Sequence, residues 1–309
     1  MKRKVWLAFV IMLMICMLAA CGGNPKKTAT PVPTATPMPT PTPLPPPTPT
    51  PYSITNPQLI DVRDGHYLLI NCVGEGSPTI IFENGLGSVS WDEYIANQVS
   101  PISRNCRYLR RGMSGETVGS VVTTEDQVQD LHILLIKASI PGPYVLVGHS
   151  IAGLNLVLYT YHYPEEVVGL VCADCRPPSY EKNLTTALGE PKPDEPQEIK
   201  DFRSSLIIPS NASPESLNVS ESHIQALTVT SLGDVPFIVL VAEKTFNLDP
   251  ENITYELNNV WLTSAEELSK LSSRGRVEIV PNTEHFPITT HDEVIEAIRE
   301  VVEQARRSK

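Results

Sequence analysis

The chain has 309 residues, 41% hydrophobic and 19% charged, a balance that buries a sizeable core and excludes a disordered chain. Its formal net charge of -11 would repel nucleic acid, and no basic run outside the extreme N-terminus offsets that charge. Lys2, Arg3 and Lys4 precede an almost wholly apolar run, Val5 to Ala20, which is short for a spanning helix and ends in small residues, the pattern of an export signal. From Pro25 to Pro51 the chain is nearly all Pro and Thr, without apolar periodicity. Such a composition predicts an extended, semi-rigid stalk at roughly 3.1 Å per residue.

Leu18-Ala19-Ala20-Cys21, followed by Gly22 and Gly23, resembles the lipobox of bacterial lipoproteins. The resemblance implies cleavage before Cys21 and diacylation of its sulfur. Residues 1–20 would then be a signal peptide, 21–52 the lipidated Cys and stalk, and 53–309 the globular domain. Acyl chains hold a soluble domain at a bilayer by burying CH₂ groups, each contributing roughly 0.8 kcal/mol. Losing the N-terminal cations makes the mature chain more acidic, so attachment to the extracytoplasmic face of the cell membrane would rest on the lipid and not on anionic headgroups. The alternative is an uncleaved N-terminal anchor helix. Outside the cytoplasm disulfides are permitted. Cys72 and Cys106 are the expected pair, with buried free thiols as the alternative, and the Cys172-x-x-Cys175 spacing lacks the second Cys/His pair that zinc requires.

From Tyr52 onward short apolar runs alternate with helical stretches, predicting an α/β domain with a mostly parallel sheet flanked by helices. Gln58 to Val62 and His66 to Cys72 flank Arg63-Asp64-Gly65, a hairpin signal. Thr79 to Phe82 and Arg107 to Leu109 are the next strands. Thr124 with Gln127 reads as a capping box, opening a helix whose buried stripe is Val128, Leu131, Leu134, Leu135 and Ala138. Tyr144 to Val147 is a buried strand leading straight into Gly148-His149-Ser150-Ile151-Ala152-Gly153, and Leu154 to Tyr161 a helix. Val168 to Ala173 is a strand with Asp174 at its carboxyl end. Residues from about Arg176 to Gly233 break the alternation and read as a small lid over the sheet. Pro236 to Val241 and Arg276 to Val280 complete the strands, and Thr290 with Glu293 caps a final helix.

A serine between strand and helix is forced into a tight turn that presents its oxygen at the top of the sheet. Small residues two before and two after avoid collision, a demand that Gly148 and Ala152 meet. This elbow and its surroundings resemble the α/β-hydrolase superfamily, serine esterase-like branch, from about Gln58 to the C-terminus. The matching stretches are Gly74-Glu75-Gly76-Ser77-Pro78-Thr79, Asn84-Gly85-Leu86-Gly87 with Trp91, Tyr108-Leu109-Arg110-Arg111-Gly112, Gly142 to Ser150, and Glu284-His285. Leu109 stands where the family usually has Asp, an exchange expected to loosen that turn, and Asn84 replaces the familiar His.

The resemblance implies a Ser-acid-His triad with Ser150 as nucleophile and His285, between the last strand and the terminal helix, as base. His291 competes but falls at the helix start. His149 is expected to point away from the site, and the other histidines to lie at the surface. The acid is less determined: in most of the superfamily it follows the strand after the lid, where Thr245 stands and Asp249 comes four residues later. Asp174, at the position some branches use, is preferred over Asp249, a turn-capping carboxylate being its other reading. The N–H groups of Ile151 and Leu86 would form the oxyanion hole. No cofactor or metal is implied. The expected activity is carboxylic ester hydrolysis through an acyl-enzyme intermediate on a small-molecule ester. Competing readings are amide, lactone, C–C bond or perhydrolysis chemistry on the same fold, and a non-catalytic binding lipoprotein.

Overall fold

A computed structural model describes residues 57–307, apart from 64, 117, 196, 207 and 248–250. The signal segment, Cys21, the Pro/Thr-rich stretch and Asp249 lie outside the described residues. The strands in chain order are β1 (Gln58–Arg63), β2 (His66–Val73), β3 (Thr79–Glu83), β4 (Asn105–Leu109), β5 (Tyr144–His149), β6 (Val167–Ala173), β7 (Phe237–Lys244) and β8 (Gly275–Glu284). They form one sheet in the order β1-β2-β4-β3-β5-β6-β7-β8, antiparallel for β1-β2 and β2-β4 and parallel elsewhere. Every residue of β3, β4 and β5 is buried. Parallel strands covered on both faces carry unbroken apolar runs, which makes these strands legible in the sequence.

The helices are α1 (Glu93–Val99), α2 (Thr124–Lys137), α3 (Ala152–His162), α4 (Tyr180–Leu188), α5 (Gln197–Leu206), α6 (Val219–Leu227), α7 (Glu251–Ser269) and α8 (Asp292–Arg307). Strand residues alternate between two cores, as a period of two requires. Ile80, Phe82, Val145 and Val147 meet Ile95 of α1 and Ile298 and Val301 of α8. Ile81, Leu146, Leu170 and Val239 face the side that carries Leu131 of α2, Leu154 of α3 and Trp261 of α7. Cys72 and Cys106 sit opposite each other on β2 and β4 and are joined by a disulfide, while Cys172 and Cys175 are buried free thiols. Among the described residues no helix is long and apolar enough to cross a membrane.

Several boundaries depart from the sequence expectation. α2 is capped by Thr123, whose backbone N–H donates to the Asp126 carboxylate at 2.9 Å, and not by Thr124 with Gln127. Gln127 is instead buried, donating to Glu215 at 2.8 Å. Thr290 closes a short 3-10 turn, Pro287–Thr290, and α8 begins at Asp292. β8 runs on to Glu284 because its last residues pair with β7 while staying largely exposed, and so carry no apolar signal. β4 starts at Asn105, a buried polar residue whose side chain donates to the Ala96 carbonyl at 3.1 Å. The helices α1 and α7 are additional to that expectation. α7 buries Leu257, Trp261, Ala265 and Leu268, a helical spacing diluted by polar neighbours. Between β6 and β7 lie α4, α5 and α6. This segment is tied to the loop before α2 by a parallel bridge between Leu217 and Val122.

Candidate active site

β5 delivers the chain into Ser150 at φ 57°, a left-handed conformation that few non-glycine residues adopt, and α3 starts two residues later. Strain of this kind is tolerated where surrounding contacts over-determine it. The Ser150 carbonyl accepts the N–H of Arg176 at 2.6 Å and that of Gly153 at 3.1 Å. A Cβ on Gly153 would lie 2.6 Å from the Arg176 carbonyl oxygen, and one on Gly148 would lie 2.9 Å from the Leu156 side chain. Gly153 is therefore required by its close approach to backbone, whereas at Gly148 the Leu156 side chain would have to shift. Ala152 fits with its methyl group fully buried.

The fold brings Ser150, His285 and Asp174 together. His285 follows β8 directly, with Nε2 3.0 Å from Ser150 Oγ and Nδ1 2.6 Å from Asp174 Oδ2. Asp174 follows β6 directly, at φ 48°, and is fully buried. Its other oxygen, Oδ1, accepts from the Trp261 indole N–H at 2.9 Å, the Thr245 hydroxyl at 2.9 Å and the Ala242 backbone N–H at 3.1 Å. A buried carboxylate needs such donors. Thr245, at the position after β7 where the resemblance places an acid, thus donates to the carboxylate that follows β6. Trp261 was missed in the sequence, although an indole N–H at a helical core position is the kind of group that must find an acceptor when buried.

Two further histidines are buried, His223 against the expectation of a surface position. His149 is completely buried, its ring centroid 4.6 Å from that of His285. It reaches the His285 carbonyl through Nε2 at 2.8 Å and Ser90 Oγ through Nδ1 at 2.8 Å. Burial, then the neighbouring His285, pushes its pKa down to about 3. The elbow's backbone aims Ser150 one way and its predecessor into the packing behind His285. His223, on α6, is also buried, and burial followed by the charge of Arg176 pushes its pKa down to about 3. His291 pairs with Glu293 at the start of α8, and His162 with Glu125 at 2.8 Å, both away from Ser150.

The turn after β3 is held rigidly. Gly85 N–H donates to Ser90 Oγ and Gly87 N–H to Glu215, both at 2.7 Å, while no described residue accepts a hydrogen bond from the N–H of Leu86 or Ile151. Asn84 donates to the Tyr108 carbonyl and accepts from Ser90 N–H, each at 2.9 Å. Beneath the turn, Arg110 pairs with Glu215 at 2.6 Å and Glu83 at 2.9 Å and donates to the carbonyls of Asn84 and Gly85, each at 2.7 Å. Burial works against the Arg110 charge, but Glu215 and Glu83 outweigh it and hold its pKa above the ordinary value. Burial raises the pKa of Glu83, against the pull of Arg110. The turn after β4 is not loosened by Leu109. Its Gly112 N–H donates to the Glu116 carboxylate at 2.6 Å, and Leu109 itself is core.

Ser150 and His285 open onto a cleft of about 340 Å³, walled by Phe246, Trp261 and Phe286 and carrying Arg176 and Lys244. This lies at the small end for ligand pockets. Among the described residues no cluster of His, Cys, Asp and Glu is arranged to hold a metal ion.

No family model matches the chain. Solved structures similar to it include an esterase from Thermogutta terrifontis (TM-score 0.55, 18% identity, covering 81% of this chain and 98% of that one). A probable hydrolytic enzyme from Pseudomonas aeruginosa also matches (TM-score 0.58, 15% identity, 80% and 94% covered). So does mouse alpha/beta hydrolase domain-containing protein 10 (TM-score 0.54, 15% identity, 82% and 98% covered). The chain has the α/β-hydrolase fold. Among curated proteins, a probable transporter, efuK, of Hormonema carpetanum is 33% identical over 106 residues, and an uncharacterized protein of Schizosaccharomyces pombe 28% over 95. These stretches occupy 32% and 30% of this chain but only 15% and 18% of those proteins, so the chain spans less than a fifth of either.

Proposed function

We propose that the protein is a serine hydrolase of carboxylic esters, working through an acyl-enzyme intermediate. The observation that carries this reading is the continuous hydrogen-bonded path Ser150 Oγ–His285–Asp174, at 3.0 and 2.6 Å, on the lip of a cleft. Serine is a poor nucleophile at its own pKa and needs an adjacent base. His285 Nε2 takes the Ser150 proton as Oγ attacks the ester carbonyl. Asp174 holds the Nδ1–H tautomer and stabilises the imidazolium. The developing oxyanion is received by the N–H groups of Ile151 and Leu86, whose freedom from other acceptors among the described residues supports that role. His285 then protonates the departing alcohol, and water, activated by the same base, cleaves the acyl-enzyme. The segment from about Arg176 to Gly233 serves as the lid of the hydrolase domain.

Ser150→Ala is expected to abolish ester turnover and fluorophosphonate labelling with little change in thermal midpoint. Persistent turnover in a contaminant-free preparation would sink the reading, and a wild-type protein that never labels would favour a binding lipoprotein. The anchoring of the domain through Cys21 outside the cytoplasm belongs to the same proposal. The disulfide between Cys72 and Cys106 supports an oxidising compartment. Cys21→Ala should release the protein from membranes or stall its processing.

A further inference from the structure

Arg176 is the first residue after the β6 turn, and its own N–H is bonded to the Ser150 carbonyl, so its side chain is anchored within the cleft that Ser150 and His285 share. The side chain is only 14% exposed. Its position is fixed from three sides. Nε donates to His223 Nε2 at 2.7 Å, Nη2 lies 3.4 Å from Glu181, and the guanidinium stacks 5.0 Å over the Tyr180 ring. The His223 tautomer suits this, since Nδ1 faces the Pro178 carbonyl at 2.9 Å and donates there, leaving Nε2 to accept. Nη1, by contrast, engages no described residue, although the guanidinium carries five donors in a rigid fork.

The charge of Arg176 is only partly answered within the protein. Glu181, the carboxylate in ion-pair contact with it among the described residues, is partly exposed and lies 3.4 Å away. Burial lowers the Arg176 pKa, against the pull of Tyr180 and Glu181, the direction expected of an under-compensated cation. Lys244 and Glu284, also on the cleft, are register partners on β7 and β8 and bring one charge of each sign to its lining. Phe246, Trp261, Phe286 and Pro287 supply the apolar wall, and Thr245 and Asn247 add neutral polar groups.

We infer that Arg176 is a specificity residue for an anionic group on the substrate, so that the preferred esters carry a carboxylate besides the ester bond. The inference rests on the serine hydrolase reading above. The incoming carboxylate takes the unused Nη1 edge, and the aliphatic part of the substrate lies against Phe246 and Phe286. The two N–H groups of Nη1 can donate to a carboxylate, and hydrogen bonds between ionised partners of this kind are the strong ones.

The test is a ratio of kcat/KM values for matched esters. Mono-p-nitrophenyl adipate and p-nitrophenyl hexanoate differ in a terminal carboxylate against a methyl, placing the charge on the acyl side. The acetyl ester of a hydroxy-nitrobenzoate against o-nitrophenyl acetate places it on the leaving group. Wild type should favour the charged ester by about 10-fold or more in one arm, as charge-assisted hydrogen bonds support. Raising the salt concentration should erode that preference. Arg176→Gln should bring the ratio towards one, and Arg176→Lys should keep part of it. A wild-type ratio of one or less in both arms, or a ratio unchanged in Arg176→Gln, overturns the inference while leaving the hydrolase reading intact. Absence of turnover on all four esters overturns both. If Arg176→Gln does not fold, the wild-type ratio and its salt dependence decide.

Discussion

Replacing Asp174 by Asn tests the site through the three donors around one oxygen. The amide keeps the shape of the carboxylate but must choose which end faces Ala242 N–H, Trp261 Nε1–H and the Thr245 hydroxyl. The hydroxyl can turn to accept, whereas the other two are obligate donors. Aiming the amide nitrogen at them would strand both in the core, at about 1–3 kcal/mol each. The Asn oxygen therefore stays where Oδ1 was, and its NH₂ points at His285 Nδ1. Two donors cannot share that contact, so the imidazole moves its proton to Nε2 and can no longer accept one from Ser150. The same substitution in a serine protease costs about 10⁴ in kcat, or about 5.5 kcal/mol at 1.36 kcal/mol per decade. Since the buried donors keep their acceptor, the thermal midpoint should hold. The assay is steady-state turnover of a p-nitrophenyl ester beside the rate of fluorophosphonate labelling, with Asp249→Asn as the matched control. A kcat within about tenfold of wild type in Asp174→Asn would refute this reasoning. A crippled Asp249→Asn beside it would return the acid to the loop after β7.

Two further outcomes follow from the buried charges. Glu215→Gln leaves Arg110 with Glu83 alone and sets an amide nitrogen among the donors of Arg110, Gly87 and Gln127, so it should cost about 3–5 kcal/mol in denaturant unfolding and lower kcat by slackening the turn that carries Leu86. A loss under about 1 kcal/mol would mean the pair is not the brace described here. His149 and His223 stay neutral in the fold down to about pH 3, while the unfolded chain protonates its histidines near 6.5. The unfolded state then binds more protons as pH falls, so the stability these groups contribute above pH 6.5 is lost on acidification towards pH 3. The two together amount to about 3 kcal/mol between pH 6.5 and 5. Glu83, whose pKa burial raises, acts in the opposite sense, so the readout is the difference in slope between wild type and His223→Gln. Identical slopes would contradict the buried, neutral His223.

The sheet and the nucleophile turn are legible in the sequence, because both depend on short-range patterns. Tyr144 to Val147 is apolar without interruption, since a central parallel strand has no exposed face. Gly148-His149-Ser150 follows it directly, since a tight strand-to-helix turn excludes side chains at set offsets. His285, between the last strand and the last helix, is identified as the base through the resemblance, since position alone carries no chemistry. Choosing Asp174 over Asp249 was a matter of strand ends, and its three donors come from Ala242, Thr245 and Trp261, roughly seventy to ninety residues away in the chain. No local pattern records such convergence. The same holds for Glu215, whose buried carboxylate sits in a polar segment that reads as surface until Arg110 and Gln127 close around it. His223 reads as a surface residue because a histidine's burial depends on what packs over it. The roles of these residues emerge in the folded chain, because they rest on burial and on partners distant in the chain, and hydrogen-bond partners of that kind leave no periodicity behind.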